Sequence, residues 1–190
     1  MTELDPKTTA LVLIDLQKGI AGPHTQPRDG DSVVAAAKAL ADRFRKAGAP
    51  VVLVHVGWSA DGGDLPSTRA DEPLGFEPGR MPAGWSDLVD GLEQPGDIRI
   101  LKRQWGAFTG TGLDLQLRRR GIETLVIAGI ATNFGVESTA RHGWELGYDI
   151  VVAEDACASR SEELHHFAIA NILPKLARIR TSDDLRLGDA

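Results

Sequence analysis

Two charged residues stand where a parallel sheet would present them to a ligand. Asp15 closes the apolar run ALVLI and Lys102 closes IRIL, while a third run, TLVIAGIATNFGVEST, leads into a helix start that carries Gly135. Open α/β sheets bind ligands outside the carboxyl ends of their strands, so the three positions are expected to share one edge. A carboxylate emerging from a strand buried on both faces loses hydration, which raises its pKa toward that of a useful acid or base. A lysine beside it would keep it ionised in the resting state and would itself be held charged. Gly135 falls in the first helical turn, where unpaired backbone N–H groups favour developing negative charge and the missing side chain leaves room for substrate. Each residue also has a plainer reading: an aspartate that caps a turn, a surface lysine solvated beside Arg103, and a glycine tolerated at a helix start.

The elements that must position these residues follow from hydrophobic periodicity. Apolar runs at Ala10 to Ile14, Val51 to Val56, Ile98 to Leu101, Thr124 to Ala128, Ile150 to Ala153 and, more weakly, Ala177 to Ile179 alternate with helical patterns. That alternation predicts an α/β fold with six parallel strands. Val33, Val34, Ala37, Leu40, Ala41 and Phe44 recur at helical spacing, with Asp31 or Ser32 as N-cap and Gly48 past the end. A second helix is expected over residues 112 to 120, between a capping Thr111 and Gly121. A third starts near Asn133, runs through Val136, Ala140 and Trp144, and ends before Gly147. A fourth follows Ser159, whose spacing to Glu162 matches a capping box. Residues 57 to 96 are rich in Gly, Pro and Asp without periodicity, and a long irregular segment after the second strand is expected to form a wall or lid over the carboxyl edge. No repeat or linker divides residues 1–190, so a single domain is expected.

Composition narrows the function. With 42% hydrophobic residues in 190, the chain can bury a sizeable core, and its net charge of −6 with both signs interspersed lacks the basic footprint of a nucleic-acid binder or of an anionic membrane's partner. No apolar run reaches the roughly 20 residues that span a bilayer, and MTELDPKTTA has neither the basic nor the apolar region of a secretory leader. A cytoplasmic location is expected. The single cysteine, Cys157, cannot form an internal disulfide and has no zinc-cluster spacing.

The stretch ALVLIDLQ, followed by ILKRQWGAFTGTGLDLQLRRRGIETLVIAGIATNFGVESTARHGWELGYDIVVAEDACAS, resembles the isochorismatase-like hydrolase family, whose cysteine-dependent members include nicotinamidases and N-carbamoylsarcosine amidases. The likeness runs from Thr8 to about Ile179. It implies a three-layer, Rossmann-like sandwich with helices on both faces of a sheet in the order 3-2-1-4-5-6. It also implies a cofactor-free hydrolase of a small molecule, assembled as a homo-dimer or tetramer. Carried over by position, the family's catalytic aspartate falls on Asp15 and its lysine on Lys102. Its nucleophilic cysteine stands in a T-N-x-C-V pattern, where this chain has Thr132, Asn133, Phe134, Gly135 and Val136.

The cysteine is thus replaced by glycine, and Cys157, in the DACAS segment on another connection, is read as a packing residue rather than a substitute nucleophile. Isochorismatases proper likewise place glycine there, because they hydrolyse a vinyl ether by proton transfer and water addition, but they carry A-H-x-G where this chain reads T-N-F-G. The closer likeness is to a glycine-bearing branch marked by WGAF and ESTAR, here Trp105 to Phe108 and Glu137 to Arg141. The resemblance also implies a cis peptide at Ile130-Ala131 that aims the Ala131 and Gly135 N–H groups into the site.

The expected substrate contacts are Ala131, Gln17, Trp58, Trp105, Phe108 and Asn133, with His55 another candidate at the pocket. The D-x-H-x-H spacing of metal-binding nicotinamidases is missing, so no catalytic metal is expected, and DLQKGIAGP lacks the G-x-G-x-x-G of a dinucleotide site. Of His165 and His166, one is expected to cap or pack and the other to be solvated. Three readings compete: a cofactor-independent hydrolase using Asp15 and Lys102; a catalytically silent metabolite-binding or scaffold protein; and a hydrolase with a new nucleophile among Thr132, Ser138 and Thr139, of which Thr132 has no evident base in sequence.

Overall fold

The run TALVLI is apolar on both faces, so a strand made from it can only sit inside a covered sheet. In the computed structural model, which describes residues 1–66, 69–73 and 80–188, that run is the central strand, with every residue buried. The elements are β1 (Thr2–Leu4), β2 (Thr9–Ile14), α1 (Gly30–Lys46), β3 (Val51–Val56), β4 (Ile98–Lys102), α2 (Leu113–Arg118), β5 (Thr124–Ile130), α3 (Glu137–Glu145), β6 (Asp149–Ala158), α4 (Glu162–Phe167), β7 (Ala177–Arg180) and β8 (Leu185–Leu187). Six of the strands form a parallel sheet in the order β4-β3-β2-β5-β6-β7, which is the expected 3-2-1-4-5-6. The helices flank it: the apolar stripe Val33, Ala37, Leu40, Ala41 and Phe44 of α1 is wholly buried, and α1 lies against β2, β3, β5 and β6.

Several boundaries differ from the sequence expectation for local reasons. Asp29, not Asp31 or Ser32, caps α1, because its carboxylate accepts the Ser32 N–H at 2.7 Å. α2 is shorter than 112 to 120, although the Thr111 hydroxyl does accept the Leu113 N–H at 3.2 Å. The helix expected from Asn133 opens instead with a π-helical turn, Thr132–Val136, before α3 begins. Ser161 rather than Ser159 caps α4, accepting from the Leu164 N–H at 3.2 Å. β6 extends well past Ala153: Ile127 pairs with Val152 but Gly129 with Cys157, so Glu154 and Asp155 sit in a bulge that reads as a strand end in sequence. Cys157 therefore lies within the strand. The three-residue pair β1 and β8, outside the six, is too short to register as an apolar run.

Of the irregular segment after β3, residues 67–68 and 74–79 lie outside the described residues. Its later part docks onto the chain leaving β2: the Lys18 and Gly19 N–H groups donate to Asp87 and Trp85 carbonyls at 2.8 and 2.9 Å, and the Val89 N–H donates to Leu16 at 3.1 Å. No helix among the described residues is long and apolar enough to cross a membrane.

Candidate active site

Asp15 is the first residue beyond β2, and its backbone turns there through φ 53°, a left-handed conformation that aspartate tolerates better than most side chains. Its N–H donates to Val54 O at 2.8 Å, so the residue is held at the sheet edge while the chain changes direction. Lys102 ends β4, two strands away across β3. Neighbouring strands lie roughly 4.8 Å apart, and the long lysine stem covers the resulting distance of about 9.6 Å. β4 alternates in burial, and Lys102 falls on the inward parity with Ile100 while Leu101 is exposed. A strand that turns its leucine outward and its lysine inward breaks the ordinary apolar-in rule, as functional positions do.

The two side chains meet. Lys102 Nζ donates to Asp15 Oδ2 at 2.7 Å and to Gln104 O at 3.1 Å, and both side chains are almost fully buried, at 2% and 7% exposure. Asp15 Oδ1 is the one buried side-chain polar atom without a hydrogen-bond partner among the described residues. Burial pushes the Asp15 carboxyl up to about 6, against the opposing pull of the Lys102 charge and hydrogen bond. This is a carboxyl group that carries its proton in mildly acid solution and can release it near neutrality.

Gly135 covers the pair. A Cβ built on it would stand 2.8 Å from Ile14 Cγ2, 3.2 Å from Asp15 Oδ2 and 3.5 Å from Trp105 O, so the buried Ile14 side chain already occupies the space a larger residue would need. Its carbonyl accepts the Thr139 hydroxyl at 2.6 Å, and Thr139 in turn accepts the Ala107 N–H at 3.1 Å, which ties the π turn to the chain after β4. The Ile130-Ala131 peptide is cis, as the resemblance implied.

A cavity of about 480 Å³ opens above these groups, and Asp15, Lys102, Gly135, Ala131, Trp58 and Trp105 all line it. Trp85, Phe134 and Arg160, which the sequence reading passed over, line it too. The aromatic walls are paired: Trp58 stacks on Trp85 with centroids 5.7 Å apart, and Trp105 meets Phe134 at 4.8 Å. Trp85 lies so close to Gly19 that any Cβ there would fall about 2.0 Å from its ring. Phe134 was legible as the variable position of the T-N-x-G-V motif. Trp85 and Arg160 carry no periodic signal.

Three expected contacts lie elsewhere. Gln17 is fully buried and serves as a clamp, with its amide donating to Val56 O and Trp85 O at 3.1 Å each and its carbonyl accepting the Val56 N–H at 2.8 Å. Phe108 packs on Tyr148 and His142. Asn133 accepts the Ser159 hydroxyl and does not border the cavity. His55 lines a second cavity of about 540 Å³, held by Ser86 O at 2.9 Å, and not the first. Cys157 is buried with its thiol on Ala153 O at 3.3 Å, and burial pushes that thiol up to about 12. Among the described residues no three His, Cys, Asp or Glu side chains converge to hold a metal ion.

Behind the π turn runs a chain of polar contacts that supplies the partner Thr132 lacked in sequence. The buried His165 faces Thr132 Oγ1 through Nδ1 at 2.8 Å and Glu154 Oε1 through Nε2 at 3.0 Å, and Arg28 closes on Glu154 at 3.0 and 3.2 Å. Since the carboxylate can only accept, Nε2 carries the proton and Nδ1 accepts from the threonine hydroxyl. Thr132 is nevertheless fully buried and does not border the cavity, so the contact fixes the turn rather than arming a nucleophile.

The arrangement of a buried Asp–Lys pair beneath a helix start, on a 3-2-1-4-5-6 sheet, coincides with a family match over nearly the whole chain: the isochorismatase domain model matches residues 9–184. The chain belongs to the isochorismatase family. Its relatives in that family include the uncharacterized isochorismatase family protein YecD of Escherichia coli O157:H7, 51% identical over 97% of this chain and 98% of that one. The ureidoacrylate amidohydrolase RutB of Methylobacterium radiotolerans is 36% identical over 89% of this chain and 74% of its own. Among solved structures, an isochorismatase family protein from Burkholderia thailandensis superposes with a TM-score of 0.90 at 45% identity, covering 96% and 95% of the two chains. The N-carbamoylsarcosine amidase of Thermoplasma acidophilum does so with 0.71 at 26% identity, covering 93% and 97%. Isochorismatase-family membership with such relatives marks this chain as a hydrolase whose substrate its own cavity must select.

Proposed function

We propose that this protein is a cofactor-independent hydrolase of a small anionic metabolite, working by proton transfer from Asp15 rather than through a covalent thiol intermediate. The observation that carries the reading is the Asp15 carboxyl itself: buried, bonded to Lys102 through one oxygen, unpartnered at the other, and pushed up to about 6. The position that would hold a nucleophilic sulfur is Gly135, and the chain's single thiol is in the core. Vinyl ether hydrolysis suits these groups. Protonated Asp15 gives its proton to the enol carbon and leaves an oxocarbenium ion. Water adds to that ion and returns a proton to the carboxylate, and the resulting hemiketal collapses to an alcohol and a ketone. Lys102 orients the carboxyl group and stabilises it once ionised. The segment between residues 57 and 96 acts in this reading as a wall or lid, since Trp58, Pro66 and Trp85 come from it and line the cavity.

The test is a turnover screen of vinyl ethers, amides and cyclic ureido compounds with the wild type and a cysteine-free Cys157→Ala variant. The variant is expected to turn over a vinyl ether as fast as the wild type, with a rate that falls as pH rises through about 6. Complete loss of turnover in a folded Cys157→Ala protein would contradict the proposal. Ligand binding across the panel without any hydrolysis would favour the silent binding protein instead.

A further inference from the structure

The charges around the cavity are unevenly partnered. The chain carries six more acidic than basic residues, yet among the described residues the cavity lining holds four cationic side chains, Lys18, Lys102, Arg103 and Arg160, against the single carboxylate of Asp15. Three of the four are neutralised by protein carboxylates: Lys102 by Asp15 at 2.7 Å, Lys18 by Asp90 at 2.9 Å and Arg103 by Asp64 at 2.5 Å. Arg160 has no carboxylate and no hydrogen-bond acceptor among the described residues, and it is exposed where the others are engaged. A guanidinium at the rim of an apolar, aromatic-lined cavity is suited to an anion, because its planar fork binds a carboxylate through two parallel bonds.

The backbone that carries Arg160 is fixed on both sides. Ser159 exchanges two backbone hydrogen bonds with Gln26, at 2.8 and 2.7 Å, and its hydroxyl donates to Asn133 in the π turn. Ser161 on the other side caps α4. The Ser159–Asn133 bond therefore ties the segment that carries Arg160 to the π turn that carries Gly135, so the reacting edge and the rim cation are joined through one contact. Trp58, Trp85, Trp105 and Phe134 give the lining flat aromatic walls, with aliphatic residues such as Ile20, Val56 and Ile130 between them.

We infer that Arg160 is the substrate's anion anchor, and that it takes the carboxylate of a molecule whose flat, unsaturated portion lies against the aromatic walls and is carried inward toward Asp15. This rests on the hydrolase reading for its orientation, but anion capture can be measured without turnover, so the two stand or fall separately. The probes are benzoate, its neutral analogue benzamide and the puckered cyclohexanecarboxylate, titrated by ligand-observed NMR into the full-length protein and its Arg160→Gln and Arg160→Lys variants. Wild type is expected to bind benzoate more tightly than either analogue. Arg160→Gln should weaken benzoate about tenfold, the loss of one charge-assisted pair, and leave benzamide unchanged, while Arg160→Lys keeps part of the affinity. Unaltered benzoate binding in Arg160→Gln, equal loss of benzoate and benzamide, or absence of binding to the wild type would overturn the assignment. A preference for cyclohexanecarboxylate would overturn the flat-substrate part of it.

Discussion

Replacing Lys102 by methionine isolates the electrostatics of the site, because methionine keeps much of the stem's volume and removes only the ammonium. In the wild type, burial lifts the Asp15 carboxyl and Lys102 opposes that lift by its charge and its 2.7 Å hydrogen bond, leaving the carboxyl at about 6. With the ammonium gone, only burial remains, and the loss of an opposite charge in contact moves a carboxyl group upward by roughly 1–3 units. The assay is a pH titration of the Asp side-chain carboxyl carbons by ¹³C NMR, with the Asp15 signal identified as the one missing in Asp15→Asn. Stability follows the same sign. A carboxyl whose folded pKa is raised contributes stability that is fully present below its unfolded value of 3.8 and is lost as pH rises through the folded value. For the wild type that window runs from about 4 to about 6 and is worth about 3 kcal/mol. In Lys102→Met the window stretches upward, so the variant should melt close to the wild type at pH 5 and well below it at pH 8. An Asp15 signal titrating at or below 6 in Lys102→Met would show that the lysine does not hold the carboxyl group down.

Two further outcomes follow from neighbouring contacts. Gly135→Ala forces a Cβ to within 2.8 Å of Ile14 Cγ2, an overpacking that costs about 1–3 kcal/mol and should lower the melting temperature by roughly 2–10 °C in calorimetry, whereas an unchanged melting point would show that the turn has slack. His165→Phe leaves the Thr132 hydroxyl unpaired and Glu154 with Arg28 alone, a loss of roughly 2–4 kcal/mol at pH 7.5. Burial lowers the His165 pKa despite Glu154, so its contribution is present above the ordinary histidine value and lost as pH falls. Thermal melts at pH 7.5 and 5 should therefore show a smaller penalty for His165→Phe at pH 5, and an equal penalty at both would rule out a neutral imidazole there.

What could be read in advance was whatever a parallel sheet repeats. Asp15 and Lys102 were visible because each ends an apolar run, and strands in this topology deliver their ends to one edge. Gln17, expected at the site, lies elsewhere because the left-handed turn at Asp15 redirects the chain and sends the side chain into the loop that carries Trp85. Asn133 sits beside the lining residue Phe134, and Phe108 follows Trp105 by three, but both point into contacts of their own, with Ser159 in one case and Tyr148 and His142 in the other. Trp85 reaches the cavity through docking onto residues 16–19, and Arg160 through the bridge between Gln26 and Ser159. Neither contact has a local pattern, and the Glu154–Asp155 bulge hid the extension of β6 that leads to Arg160.

The proposed chemistry turns on one proton, supplied by the Asp15 carboxyl. The kcat of Asp15→Asn on whichever compound the wild type hydrolyses, measured beside the affinity of both proteins for benzoate, reads that proton directly. Because general acid catalysis typically accounts for a factor of about 10²–10⁴, kcat should fall by that much while the variant still captures the anion at Arg160. An Asp15→Asn protein that turns over at the wild-type rate would show that the proton comes from elsewhere.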